Sequence, residues 1–295
     1  MDGRRAGISR RGFLKAFGAS LFGIGLGGAL TIKYAREIEP QLLQIERVDV
    51  PLAGLAPGLD GTRVACLSDF HLHPYTQIEL VRECVQLVNR LDADLACLLG
   101  DYVFDRADAI LELAPVLAGI QTRSGSFAVL GNHDLWTNPA LIASTLEEHH
   151  TTVLSNAHRV LDLPGGHLVL AGLDDGWSGN PDLEQALAGA PQATTLLMLH
   201  EPDLAEQYRD SGRVQLQLSG HSHGGQVRLP AIGAPFLPRY AQKYEQGLYD
   251  LGGMRLYVTR GIGVIGPPLR FNCRPEIALL TLRSASRLQS NPGAG

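Results

Sequence analysis

Aromatic residues are scarce in this chain, 6% of 295 residues with two tryptophans, and no basic excess exists: 25 Lys and Arg face 30 Asp and Glu, a net charge of -5 at pH 7. Broad nucleic-acid binding needs a basic face that displaces counterions from phosphates, so that class is excluded. Cysteine is sparse as well. Cys66, Cys84, Cys97 and Cys273 form no C-x-x-C pair, which removes thiolate zinc sites and dithiol redox motifs. Buried thiols are the expectation, with a Cys66–Cys97 bridge between neighbouring strands as the alternative after export. Long apolar runs are also lacking. The uncharged stretch from Ala16 to Ile32 has roughly 17 residues, the lower limit for crossing a bilayer, and no internal repeat is present.

What remains is a chain 45% hydrophobic and 19% charged, long enough to bury a full core. The runs RVACL, LACLL, FAVL, TLLML and VQLQL read as short buried strands, each stopped by polar residues or glycine. Helical stretches at 76–89, 107–118, 138–149 and 182–188 alternate with them, which argues for α/β. Past the strand ends lie seven side chains able to bind metal: Asp69, His71, Asp101, Asn132, His200, His221 and His223. In open α/β sheets the C-terminal strand edge is where loops converge into a crevice. Carboxylate, amide oxygen and imidazole without thiolate suit Mn, Fe, Zn, Co or Ni. Seven ligands exceed the needs of one ion, so a carboxylate shared by two ions is the economical arrangement, and Asp101, central in sheet order, is the natural bridge.

The segments SDFH (Ser68–His71), GDYV (Gly100–Val103), GNHD (Gly131–Asp134), the lone His200 and GHSH (Gly220–His223) resemble the five blocks of calcineurin-like metallophosphoesterases. The extended motifs GHSHGGQVRLP (Gly220–Pro230) and YVTRGIG (Tyr257–Gly263) are similar to an exported or membrane-attached bacterial branch. The resemblance implies a four-layer α-β-β-α sandwich over residues 58–284. It implies one divalent ion on Asp69, His71, Asp101 and His223, and a second on Asp101, Asn132, His200 and His221. A hydroxide bridging the ions would attack a phosphomonoester or phosphodiester. His133 would face the phosphate as a charge stabiliser or general acid, with Asp134 orienting its imidazole. The alternatives are a membrane-surface pyrophosphatase cleaving a lipid-linked substrate of the UDP-2,3-diacylglucosamine type, and a metal-binding scaffold without catalysis.

His73, two residues past His71, is a candidate for the phosphate or metal rim, while Tyr75 and Trp136 are candidates for contacting an apolar leaving group or for packing. His149, His150, His158 and His167 read as solvated. At the N-terminus, Ser9-Arg10-Arg11-Gly12-Phe13-Leu14-Lys15 before the Ala16–Ile32 run matches the twin-arginine export pattern. Residues 1–35 are therefore read as signal or anchor, implying the export machinery as partner, membrane attachment through 16–32, and a domain outside the cytoplasmic membrane. Residues 36–57 are read as a tether and leading strand, and 285–295 as a fraying tail.

Overall fold

The computed structural model describes residues 27–284. The twin-arginine motif, most of the Ala16–Ile32 run and the tail 285–295 lie outside them. Among the described residues no helix is long and apolar enough to cross a membrane.

The alternation of side chains along each strand sets the architecture, because successive residues point to opposite faces. In β2 (Arg63–Leu67), Val64 and Cys66 enter one apolar cluster while Ala65 and Leu67 enter another. In β3 (Leu95–Leu98), Leu95 and Cys97 divide in the same way from Ala96 and Leu98. In β8 (Thr194–Met198), Leu196 and Met198 share the cluster of Val64, whereas Leu197 joins a third. Strands buried on both faces require something on each side, and three clusters separate four layers.

Two sheets form the inner layers. The first runs in the order β1 (Gln44–Leu52), β12 (Glu276–Ser284), β2, β3, β4 (Ser126–Ala128), β5 (Thr151–Val153). The second runs β10 (Gly247–Asp250), β11 (Arg255–Val258), β9 (Leu216–Ser219), β8, β7 (Gly166–Gly172), β6 (Ala157–Leu163). Helices α1 (Ile78–Val88), α2 (Ile110–Leu117) and α4 (Pro139–Glu148) cover the first sheet through Val81, Leu113 and Ile142. A short α3 (Asn132–Trp136) precedes α4. The second sheet is covered by the single turns α5 (Leu183–Ala186) and α6 (Ala205–Tyr208) with their loops. The fold is thus the expected α-β-β-α sandwich.

Two features differ from the sequence reading. The stretch expected as a tether ahead of the leading strand is packed: Glu39 is 2% exposed and its carboxylate accepts from Cys273 N, while β1 is the expected leading strand, paired in parallel with β12 along all nine residues. The helix expected at 182–188 closes after one turn. Cys66 and Cys97 oppose each other in register as free, buried thiols.

Candidate metal centre

Hydrogen bonding continues past the strand ends and draws the ligand loops together. Asp69 N donates to Gly100 O at 2.9 Å and His71 N to Asp101 O at 3.1 Å, so the loops after β2 and β3 stay zipped. Gly220 N donates to His200 O at 3.0 Å, which does the same for the loops after β8 and β9. The two sheets are joined where His200 Nδ1 meets Leu99 O at 2.6 Å and where His221 N donates to Asp69 Oδ1 and Oδ2 at 3.1 Å each.

These turns are strained. Asp69, His71, Asp101, His221 and His223 all have φ between 43° and 68°, the left-handed region that non-glycine residues rarely enter. Each such residue costs about 1–3 kcal/mol and persists only where its surroundings over-determine it. Two glycines make the approach close enough. A Cβ on Gly131 would lie 2.4 Å from Asp101 Oδ1, and one on Gly220 would lie 1.9 Å from Ser68 Oγ and 2.6 Å from Asp69 Oδ2.

The seven predicted ligands are all at most 4% exposed. His71 Nε2 lies 3.0 Å from His223 Nε2 and 3.4 Å from Asp101 Oδ2, and His223 Nε2 lies 3.4 Å from Asp69 Oδ1. Asp101 Oδ2 is also 3.2 Å from His200 Nε2, which is 3.2 Å from His221 Nδ1. Ligand atoms held about 2.1 Å from one ion sit about 3.0–3.4 Å from each other in octahedral or tetrahedral geometry. Asn132 Oδ1 is buried with no hydrogen-bond partner, the condition of an acceptor meant for a cation. The donor set therefore fits divalent metal.

Electrostatics agree. Burial, helped by the Asp101 charge, pushes the Asp69 carboxyl up to about 6. Burial also pushes His71 down to about 3, His221 to about 4, and His223 well below the ordinary range, leaving neutral rings with lone pairs to give. His200 is the exception: burial lowers it, but the charge and hydrogen bond of the Asp101 carboxylate, together with the Asp69 and Glu201 charges, raise it well above the usual histidine value. Burial would raise Asp101 too, yet the adjacent His200 charge and hydrogen bond hold it well below the carboxylate range. A proton on His200 thus serves as a positive charge in the pair. Backbone carbonyls set the tautomers, since a carbonyl only accepts: Leu99 O takes a hydrogen from His200 Nδ1, and Arg239 O, at 2.8 Å, takes one from His221 Nε2.

His133 adjoins this cluster, its ring edge-on to His71 at 4.7 Å. Its Nδ1 meets Phe104 O at 2.6 Å, and the ring stacks on Phe104. Asp134 does not orient it. The Asp134 carboxylate, fully buried, accepts instead from Gly131 N, Asp101 N and Tyr102 N at 2.9 Å each, so it ties the GNHD turn to the GDYV loop. The sequence pairs the two residues because they are adjacent, but on the first turn of a helix adjacent side chains diverge.

The cleft over the cluster encloses about 170 Å³ and is walled by Trp136, Trp177, Pro238 and Ile265. Trp136 Nε1 donates to Ser178 Oγ at 2.8 Å and the ring packs on His133, which brings it into the cleft as one of the expected alternatives. Trp177 was not singled out from the sequence, although it follows the β7 run LVLAG at a strand end like the ligands. His73 points elsewhere, its Nε2 2.8 Å from Glu112 Oε2 on α2. Tyr75 packs against Phe104 outside the cleft wall. His158 meets Ala186 O and His167 pairs with Asp162, away from the metal ligands. A larger cavity of about 720 Å³ near Glu39 and Cys273 lacks such a ligand set, and its Arg260 is already paired with Glu46.

A buried Asp, His and Asn cluster on the converging strand ends of a two-sheet sandwich defines a metal-dependent hydrolase. Residues 62–225 match the family described as calcineurin-like phosphoesterase. The chain is 35% identical over 289 residues to the uncharacterized metallophosphoesterase YkuE of Bacillus subtilis, covering 95% of this chain and 99% of that one. It is 33% identical over 280 residues to the phosphodiesterase YaeI of Escherichia coli, covering 93% and 99%. A transmembrane protein with metallophosphoesterase domain from Danio rerio is 31% identical over 254 residues, 81% of this chain and 57% of that one. The chain belongs to the calcineurin-like phosphoesterase family and is a metal-dependent phosphoester hydrolase.

Proposed function

We propose that the chain hydrolyses phosphomonoesters or phosphodiesters at a centre of two divalent ions, drawn from Mn, Fe, Zn, Co and Ni. The observation that carries this is the single oxygen Asp101 Oδ2, within 3.4 Å of His71 Nε2 and 3.2 Å of His200 Nε2. Asp69, His71, Asp101 and His223 would hold one ion, and Asp101, Asn132, His200 and His221 the other. Bound ions supply Lewis acidity toward a phosphoryl oxygen and lower the pKa of coordinated water. His133 delivers a proton from Nε2 to the leaving oxygen while Phe104 O fixes Nδ1, a task worth about 10²–10⁴-fold. Trp136 and Trp177 exclude bulk water from the cleft.

Chelator-stripped protein reloaded with each metal and assayed on bis-p-nitrophenyl phosphate and p-nitrophenyl phosphate tests this reading. Two ions per chain and hydrolysis only after loading are expected. Two bound ions with no turnover on either ester would favour the scaffold reading instead. The twin-arginine pattern supports export with attachment through 16–32, and replacing Arg10 and Arg11 together by Lys should hold the protein in the cytoplasm on fractionation. Export also ranks plain phosphoesters above a UDP-linked lipid pyrophosphate, whose nucleotide donor chemistry belongs to the cytoplasmic side.

A further inference from the structure

The loop after His223 builds a second cavity against the metal cleft. It encloses about 380 Å³, and His223, Pro238 and Ile265 line both spaces. Its other walls include Val227, Leu237 and Pro267, with no Asp, Glu, Lys or Arg among its lining residues. At its rim Phe236 is 85% exposed, and Ile232 on the same loop is 73% exposed. Large apolar side chains left in water beside an apolar groove mark a surface that binds something apolar.

Gln226 ties the walls of the groove together, and apart from the unpaired His223 Nδ1 its side chains have little polar capacity to spare. Gln226 reaches across it: Oε1 accepts from Ile265 N at 2.7 Å, and Nε2 donates to Ile265 O at 3.2 Å and Pro267 O at 3.4 Å. Ser222 Oγ already accepts from Gly224 N at 3.0 Å. A sugar or peptide laid there would bury polar groups without partners, at a cost that an alkyl chain avoids. The groove shares His223, Pro238 and Ile265 with the cleft, so a chain lying in it is within reach of a phosphate placed over the ligand cluster.

We propose that this groove receives the apolar chain of the substrate, so that the substrate class is a lipid phosphoester, one ester substituent being an alkyl or acyl chain; this rests on the phosphoesterase reading. Leu237 and Phe236 then determine specificity by packing on the chain, while the phosphoryl group sits over the ions.

The test is a series of alkyl p-nitrophenyl phosphodiesters from methyl to hexyl, below micellar concentrations, with the metal-loaded full chain. In the wild type kcat/KM should climb by about two- to fourfold per methylene, the value of burying each CH2. Leu237→Asp and the surface variant Phe236→Ser should flatten that climb, read as the hexyl-to-methyl ratio within each protein at full metal content. A flat wild-type series, or a climb that both variants retain, overturns the groove assignment. Failure to hydrolyse even the methyl ester would instead overturn the phosphoesterase reading, so the two failures are distinct.

Discussion

Replacing Asp101 by Asn removes one charge while leaving Oδ1 to accept from His133 N, a bond of 2.9 Å in the present structure. The turn is therefore kept and the electrostatics change. In the metal-free protein the Asp101 and His200 charges lie 3.2 Å apart, which at an effective dielectric of about 20 is an attraction of about 5 kcal/mol. That attraction, with smaller help from Asp69 and Glu201, lifts His200 against its burial. Without it burial is opposed only by Asp69 and Glu201, and the His200 imidazole should titrate lower than in the wild type, a change visible by NMR. On the two-ion proposal Asp101 is a ligand common to both ions, and its loss should weaken each by more than the 10–100-fold typical of losing an outer-sphere partner. Metal analysis should find less than one ion per chain, with turnover of bis-p-nitrophenyl phosphate reduced at least a thousandfold on the same reasoning. An Asp101→Asn protein that keeps two ions and wild-type turnover, or whose His200 titrates as before, would refute the argument.

His133→Asn should leave metal content intact and lower turnover about 10²–10³-fold for alkoxide leaving groups, with a smaller loss for nitrophenolate, which needs little protonation; equal losses would restrict His133 to charge stabilisation. Metal affinity should rise with pH, because His200 is held protonated by Asp101 and must lose that proton to coordinate; calorimetry in buffers of different ionisation enthalpy should register proton release on binding, most strongly below the raised His200 pKa. Gly220→Ala should cost about 1–3 kcal/mol on denaturation and weaken metal binding, since its Cβ meets Ser68 Oγ and Asp69 Oδ2, and unchanged metal affinity would contradict the close approach.

The sequence by itself determined the composition of the layers and which side chains are the candidate ligands. Short β-branched runs buried on both faces demand an α/β sandwich, and hard, neutral or anionic donors at their ends announce metal chemistry, because both signals are local to a few residues. β1 was legible residue for residue in QIERVDVPL. What it could not determine is how residues from different strand ends face each other. Adjacency in the chain paired His133 with Asp134, but the turn sends Asp134 into backbone N–H groups of another loop and leaves Phe104 O to orient the imidazole. His73, so close to His71 in sequence, turns away to Glu112. Trp177, more than 40 residues from either His133 or His221, packs edge-on against His221 and against Trp136, which in turn lies on His133. Tertiary structure decided these because hydrogen bonds between loops, not spacing along one loop, fix side-chain direction past a strand's end. The same holds for the apolar groove, whose walls at 222–238 and 265–267 are distant in the chain and are joined by bonds between loops, from the Gln226 amide to Ile265 and Pro267 and from Phe271 N to Gln226 O.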